Sequence, residues 1–262
     1  MYWANFLHIY QPHNQKPYWI KKIANESYRK LVAGLLANRR AKAIININAC
    51  LTELFQKNGC QDLIAGLRTL ARREQIEFTD SAKYHAFLPL LPESEIIRQI
   101  KLNRQTNKKY FGSLYRPLGF FPPEMGYHPK IAKICQRLGY RWLIIDELAL
   151  AGKIGRLRYD LVYKIKNFTD LSVFFRQREV SFRILSAQVY ASGMVVDLLK
   201  NAISKKQYLI TAMDGETFGH HRPGLDELLF RVYRSKEITS ITLSELFELF
   251  PDKELVSPIK SS

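Results

Sequence analysis

The sequence predicts an α/β protein built as one β/α barrel, a single domain over residues 1–262. Short apolar, β-rich runs recur along the chain, and stretches with helical apolar spacing lie between many of them. Alternation of this kind implies a parallel sheet. Several runs are apolar throughout, as parallel strands covered on both faces should be. Polar, chemistry-bearing residues gather where the runs end, and in a β/α barrel all the carboxyl ends of the strands share the face that carries active sites.

The first run, "YWANFLHIY" at 2–10, carries His8 near its end and leads into Gln11. "AKAIININ" at 41–48 and "QIEFTD" at 75–80 follow, the second ending in Asp80. "PLGFFPP" at 117–123 leads to Glu124, and "RWLIIDE" at 141–147 ends in Asp146 and Glu147. "LVYKI" at 161–165 and "LSVFF" at 171–175 come next, and "QYLITAM" at 207–213 runs into Asp214. Among the helical stretches, Leu63, Ile64, Leu67, Leu70 and Ala71 form one apolar stripe, and Leu225, Leu228, Leu229, Val232 and Tyr233 form another.

Composition narrows the class. With 47% hydrophobic and 24% charged residues the chain is ordinary globular protein, and no apolar stretch approaches the ~20 residues of a membrane span. The N-terminal run has no basic leader and no small-residue cleavage site, which predicts a cytoplasmic protein. The cysteines, Cys50, Cys60 and Cys135, lack C-x-x-C spacing and read as buried, inert thiols. A net charge of +16 raises an anionic partner, but the bases are scattered as "KK" at 21, "RR" at 39 and "NKKY" at 107. Solvated helix surface explains them, and without a zinc-finger, RNP or P-loop signature no specific nucleic-acid partner is expected.

Two stretches concentrate chemistry. "AMDGETFGHHRPG" at 212–224 sets Asp214, Glu216, His220 and His221 between glycines just after an apolar run. "GFFPPEMGYHP" at 119–129 approaches Glu124 through Pro122 and Pro123, which fix φ and bar further strand pairing. Gly126 loosens the backbone beside it, and Pro129 suits the first turn of the helix that follows. The barrel brings Glu124 and Asp214 to one rim, and two carboxylates there suggest acid/base work, of which glycoside cleavage is one case.

"HIYQP", "QIEF" with "YHAFLPLLP", "GFFPPEMGYHP" and "MDGETFGHHRPG" resemble, in order, four successive signature regions of glycoside hydrolase family 57. The resemblance implies a distorted seven-stranded β/α barrel acting on α-glucans with retention, as a hydrolase, 4-α-glucanotransferase or branching enzyme, with no cofactor or metal. By it Glu124 is the nucleophile and Asp214 the general acid/base. His8 and Gln11 line the sugar-binding floor, His128 and His220 stand near the carboxylates, and Glu77 and His85 belong to the second region. Trp3, Tyr10 and Tyr127 are candidates to offer faces to pyranose rings.

The chain departs from that pattern in two ways. Ala86 stands where proline is common, and the chain stops at "VSPIKSS" where the family continues into a helical region with a fifth signature, so a barrel cut short at its C-terminus is expected. Two other readings compete. A metal-dependent polysaccharide deacetylase-like hydrolase would use the histidines and carboxylates as ligands, though no H-x-x-x-H or H-E-x-x-H pair occurs. A non-catalytic glucan-binding barrel would have little reason to keep both carboxylates.

Overall fold

The structure, a computed structural model, describes residues 1–189, 191–204 and 206–261. Its strands are β1 (Tyr2–Ile9), β2 (Ala43–Ile47), β3 (Ile76–Asp80), β4 (Gly119–Phe120), β5 (Trp142–Asp146), β6 (Val162–Ile165), β7 (Phe168–Arg176), β8 (Tyr208–Asp214), β9 (Thr239–Ser240) and β10 (Lys253–Val256). They form one sheet in the order β10-β6-β7-β5-β4-β3-β2-β1-β8, with β9 beside β1. The stretch from β7 to β8 holds seven strands, each parallel to its neighbour, which is the (β/α)7 pattern.

Curling brings the two ends of that stretch together. Gln177, just past β7, donates its backbone N–H to Ile210 O on β8 at 2.8 Å, and Ala212 N donates to Ser181 Oγ at 3.2 Å. No β7–β8 ladder forms among the described residues, so the barrel is distorted at this seam. β6 runs antiparallel to β7 and carries β10 outside the seven. β9 and β10 are short and were not legible as apolar runs.

The long strands of the seven are covered on both faces, as continuous apolar runs require. Ala4 and Phe6, Ile44, Trp142 and Ile144, Phe174, and Ile210 and Ala212 pack together on the inner face. Leu243, Leu246 and Phe250 belong to the same cluster and stopper its amino end. Outward-facing Trp3, Leu7, Leu209 and Met213 meet the predicted stripes of helices Gln61–Arg72 and Leu225–Tyr233 in a second core. A third lies under helix Pro129–Arg137. All three cysteines are free and buried.

Register then dictates which residues reach the rim. Side chains of a strand alternate with period two, so His8 shares the face of Ala4 and Phe6, and Asp214 that of Ile210 and Ala212. The pairing His8↔Asp214, His8↔Asn46 and Asn46↔Thr79 puts four polar residues in one layer across β8, β1, β2 and β3. The layer beneath is Ala212, Phe6, Ile44 and Glu77.

Candidate active site

Glu124 reaches this rim from a one-turn 3-10 helix after β4. Pro122 is extended (φ −71°, ψ 130°), and Glu124 itself is left-handed at φ 58°, as is Met125 at φ 54°. Residues with a Cβ seldom occupy this region, and each does so at a cost of about 1–3 kcal/mol. The chain bears it because Met125 N and Gly126 N are tied back to Pro122 O and Pro123 O, at 2.9 and 3.1 Å. The Glu124 side chain projects into solvent, 69% exposed. Gly126 has an ordinary φ of −62°; it is needed for room, because a Cβ there would stand 2.5 Å from the Phe87 ring.

His85 lies beside Glu124 and within the field of Asp214. Its Nδ1 is 3.7 Å from Glu124 Oε1, and the charges of both Glu124 and Asp214 act on it. Its ring stacks on Tyr10 at 4.4 Å and on His8 at 4.7 Å, with Phe121 tilted against His8 at 5.0 Å. Burial lowers the pKa of each histidine to about 4, with His8 adding a like-charge effect on His85, so both imidazoles are neutral at pH 7. Nε2 of each is buried without a hydrogen-bond partner among the described residues. Asp214 has its pKa raised by desolvation, against the pull of His221, His85 and Arg176.

The structure therefore brings His8, His85, Glu124 and Asp214 into one constellation. It gives other residues different work. Gln11 has its amide engaged: its Nε2 donates to Glu216 Oε1 at 3.0 Å and its Oε1 accepts from Gln15 at 3.1 Å. Glu77 lies one layer below the rim, bound by the backbone N–H and hydroxyl of Ser244, and lines a cavity of about 440 Å³ with Lys42 and Glu245. His128 caps helix Pro129–Arg137, its Nδ1 accepting from Lys130 N at 3.2 Å. His220 is anchored to Glu26 at 2.6 Å, while its neighbour His221 is the histidine whose charge reaches Asp214.

Trp3 and Tyr127 are core residues, 1% and 2% exposed, so neither can offer a face to a sugar. Tyr18, Trp19 and Tyr84 are exposed aromatics, Trp19 edge-on at 6.5 Å from His220 and Tyr84 edge-on at 5.4 Å from His13. Asp80 and Asp146 are structural: Asn103, Arg104, Tyr115 and Tyr140 surround the first, and Arg176 and Arg178 hold the second. Among the described residues no group of three or more His, Cys, Asp or Glu is placed to hold a metal ion.

Glu216 is the residue that sequence reasoning noticed but gave no role. Buried behind Asp214, its Oε1 accepts from the Tyr28 hydroxyl, from Gln11 and, at 3.4 Å, from Tyr10 N. Desolvation raises its pKa to about 7, with Tyr28 and Gln11 lowering it in part. Tyr28 reaches it from a π-helical turn, Ala24–Tyr28, a distortion often found at functional sites. The carboxyl thus latches the loop after β1 to the loop after β8.

The family model of glycosyl hydrolase family 57 matches residues 4–258. The chain belongs to that family. Relatives in it include an α-amylase of Pyrococcus horikoshii, 22% identical over 95% of this chain and 40% of the relative. A 4-α-glucanotransferase of Thermococcus litoralis is 23% identical over 95% of this chain and 39% of its own length. The crystal structure of 4-α-glucanotransferase from the same organism superposes with a TM-score of 0.86 over 100% of this chain and 42% of that one, at 19% identity. The family 57 fold is thus present across the whole chain, which spans about two fifths of the length of these relatives. No helix among the described residues is long and apolar enough to cross a membrane.

Proposed function

We propose that the barrel cleaves or transfers α-glucosidic bonds of an α-1,4-glucan with retention, Glu124 acting as nucleophile and Asp214 as general acid/base. The observation that carries this reading is the position of His85, 3.7 Å from the Glu124 carboxylate and within the field of Asp214 as well. Two carboxyl groups on one rim are what a double displacement needs. Glu124 exposes its carboxylate for attack on the anomeric carbon, forming a glycosyl ester as the bond to the leaving oxygen breaks. Asp214, its pKa raised by desolvation, delivers the proton to that oxygen and then takes one from the incoming water or sugar hydroxyl.

Glu216 has the larger upward shift, yet it is buried and its Oε1 is held by Tyr28 and Gln11, so it serves the fold here and Asp214 the proton transfer. Neutral His8 and His85 supply hydrogen bonds without adding charge that would compete with an oxocarbenium-like transition state. Product analysis from maltoheptaose tests the reading. Shorter products alone mean hydrolysis, and longer ones mean transfer. An unchanged substrate in the parent, under conditions where the protein is folded, would count against it.

A further inference from the structure

Thr79, Asn46 and His8 lie side by side on β3, β2 and β1 and are joined by hydrogen bonds. Asn46 Nδ2 donates to Thr79 Oγ1 at 3.0 Å and to the Thr79 carbonyl at 3.4 Å. A backbone carbonyl only accepts, so the amide nitrogen must face Thr79 and the amide oxygen must face His8. That oxygen is 2.8 Å from His8 Nδ1. An oxygen acceptor at this distance requires the proton on Nδ1. The buried ring, with its pKa lowered to about 4, carries only one proton at pH 7, so Nε2 is bare.

This bare nitrogen is buried and unpartnered. An acceptor in that position is costly until a donor meets it. His85 is stacked 4.7 Å away, and no ionised carboxylate hydrogen-bonds to the His8 ring among the described residues.

We infer that Thr79 and Asn46 are positioning residues that hold His8 in its Nδ1–H tautomer, so that His8 Nε2 acts only as acceptor for one hydroxyl of the sugar bound beside Glu124 and Asp214. The inference rests on the α-glucan reading of the site and adds a direction to one of its contacts: the sugar donates and the protein accepts. A sugar whose hydroxyl is replaced by hydrogen or capped with methyl has no proton to give and leaves Nε2 unsatisfied.

Nitrogen-15 NMR of the histidine-labelled 262-residue chain at pH 7 tests it, with His8 assigned from a His8→Gln variant. The parent should have a protonated Nδ1 and a bare Nε2 at His8. Asn46→Asp keeps an acceptor and adds a charge, so it should hold the Nδ1 proton while raising the ring's pKa, and Asn46→Leu should lose the tautomer. On adding maltotriose the bare Nε2 resonance should move in the direction of hydrogen-bond acceptance. A parent ring protonated at Nε2, or at both nitrogens, overturns the inference. So does maltotriose that moves other histidine resonances and leaves His8 Nε2 in place. If no resonance responds to maltotriose, the glucan reading and the sugar contact fall together, while the ligand-free tautomer still decides the role of Asn46 and Thr79.

Discussion

His85 and Glu124 face each other across 3.7 Å, and both hold left-handed backbone, at φ 55° and 58°. Neither is glycine, so each conformation is stored strain that the surrounding fold maintains. Strain at two facing residues of one rim fixes where their side chains point.

Relief of that strain should separate stability from activity. Glu124→Gly removes the left-handed penalty and loses only part of the gain to the unfolded chain's added freedom. A net stabilisation of about 1 kcal/mol, roughly 2 °C in Tm, is expected together with loss of turnover on maltooligosaccharides. Calorimetry of parent and variant checks it, and a clear fall in Tm would mean that the Glu124 side chain supports the fold.

Glu216 gives a pH signature. Its pKa is raised to about 7 from an ordinary 4.5, so below pH 4.5 both folded and unfolded chains hold the proton. Between 4.5 and 7 only the folded chain does, and stability falls as pH rises through that window, by roughly 3 kcal/mol in all, then levels off. Glu216→Gln cannot titrate. Urea unfolding should therefore find the parent losing that much relative to Glu216→Gln between pH 4.5 and 8; parallel pH curves would show that the carboxyl is not held this way.

Gly219 is required by geometry. Its φ is 107°, and a Cβ there would stand 2.1 Å from Glu26 O, a backbone atom that cannot swing aside. Gly219→Ala should cost about 3 kcal/mol and lower Tm by several degrees. Activity should fall further than stability explains, because the same turn carries His220 to Glu26 and His221 toward Asp214. A variant with parental Tm would refute the geometric account.

Much of the fold was readable because buried strands announce themselves as apolar runs: each of the eight predicted runs overlaps one of β1 to β8, and strand ends lead to the rim. β9 and β10 escaped because two-residue and edge strands carry no such signal. Within the site, residue type was a poorer guide than register. Glu77 lies in a signature stretch, yet period-two alternation puts it one layer too deep. Of two adjacent histidines the sequence offers no way to choose, and the structure ties His220 to Glu26. Asn46 looked like one more residue of "AKAIININ"; only its pairing with His8 and Thr79 gives it work.

The assignment of the two carboxylates is tested most directly by azide rescue on an activated aryl α-glucoside. In Asp214→Asn the leaving group needs no proton, so Glu124 still forms the glycosyl ester and azide, which needs no general base, should release an α-glycosyl azide with retention. In Glu124→Gly no ester can form, and azide occupying the vacated space should attack directly and give the inverted β-glycosyl azide. Retention at Asp214→Asn with inversion at Glu124→Gly is the predicted pair of results. The opposite pairing, or parental turnover without azide in either variant, would contradict the account.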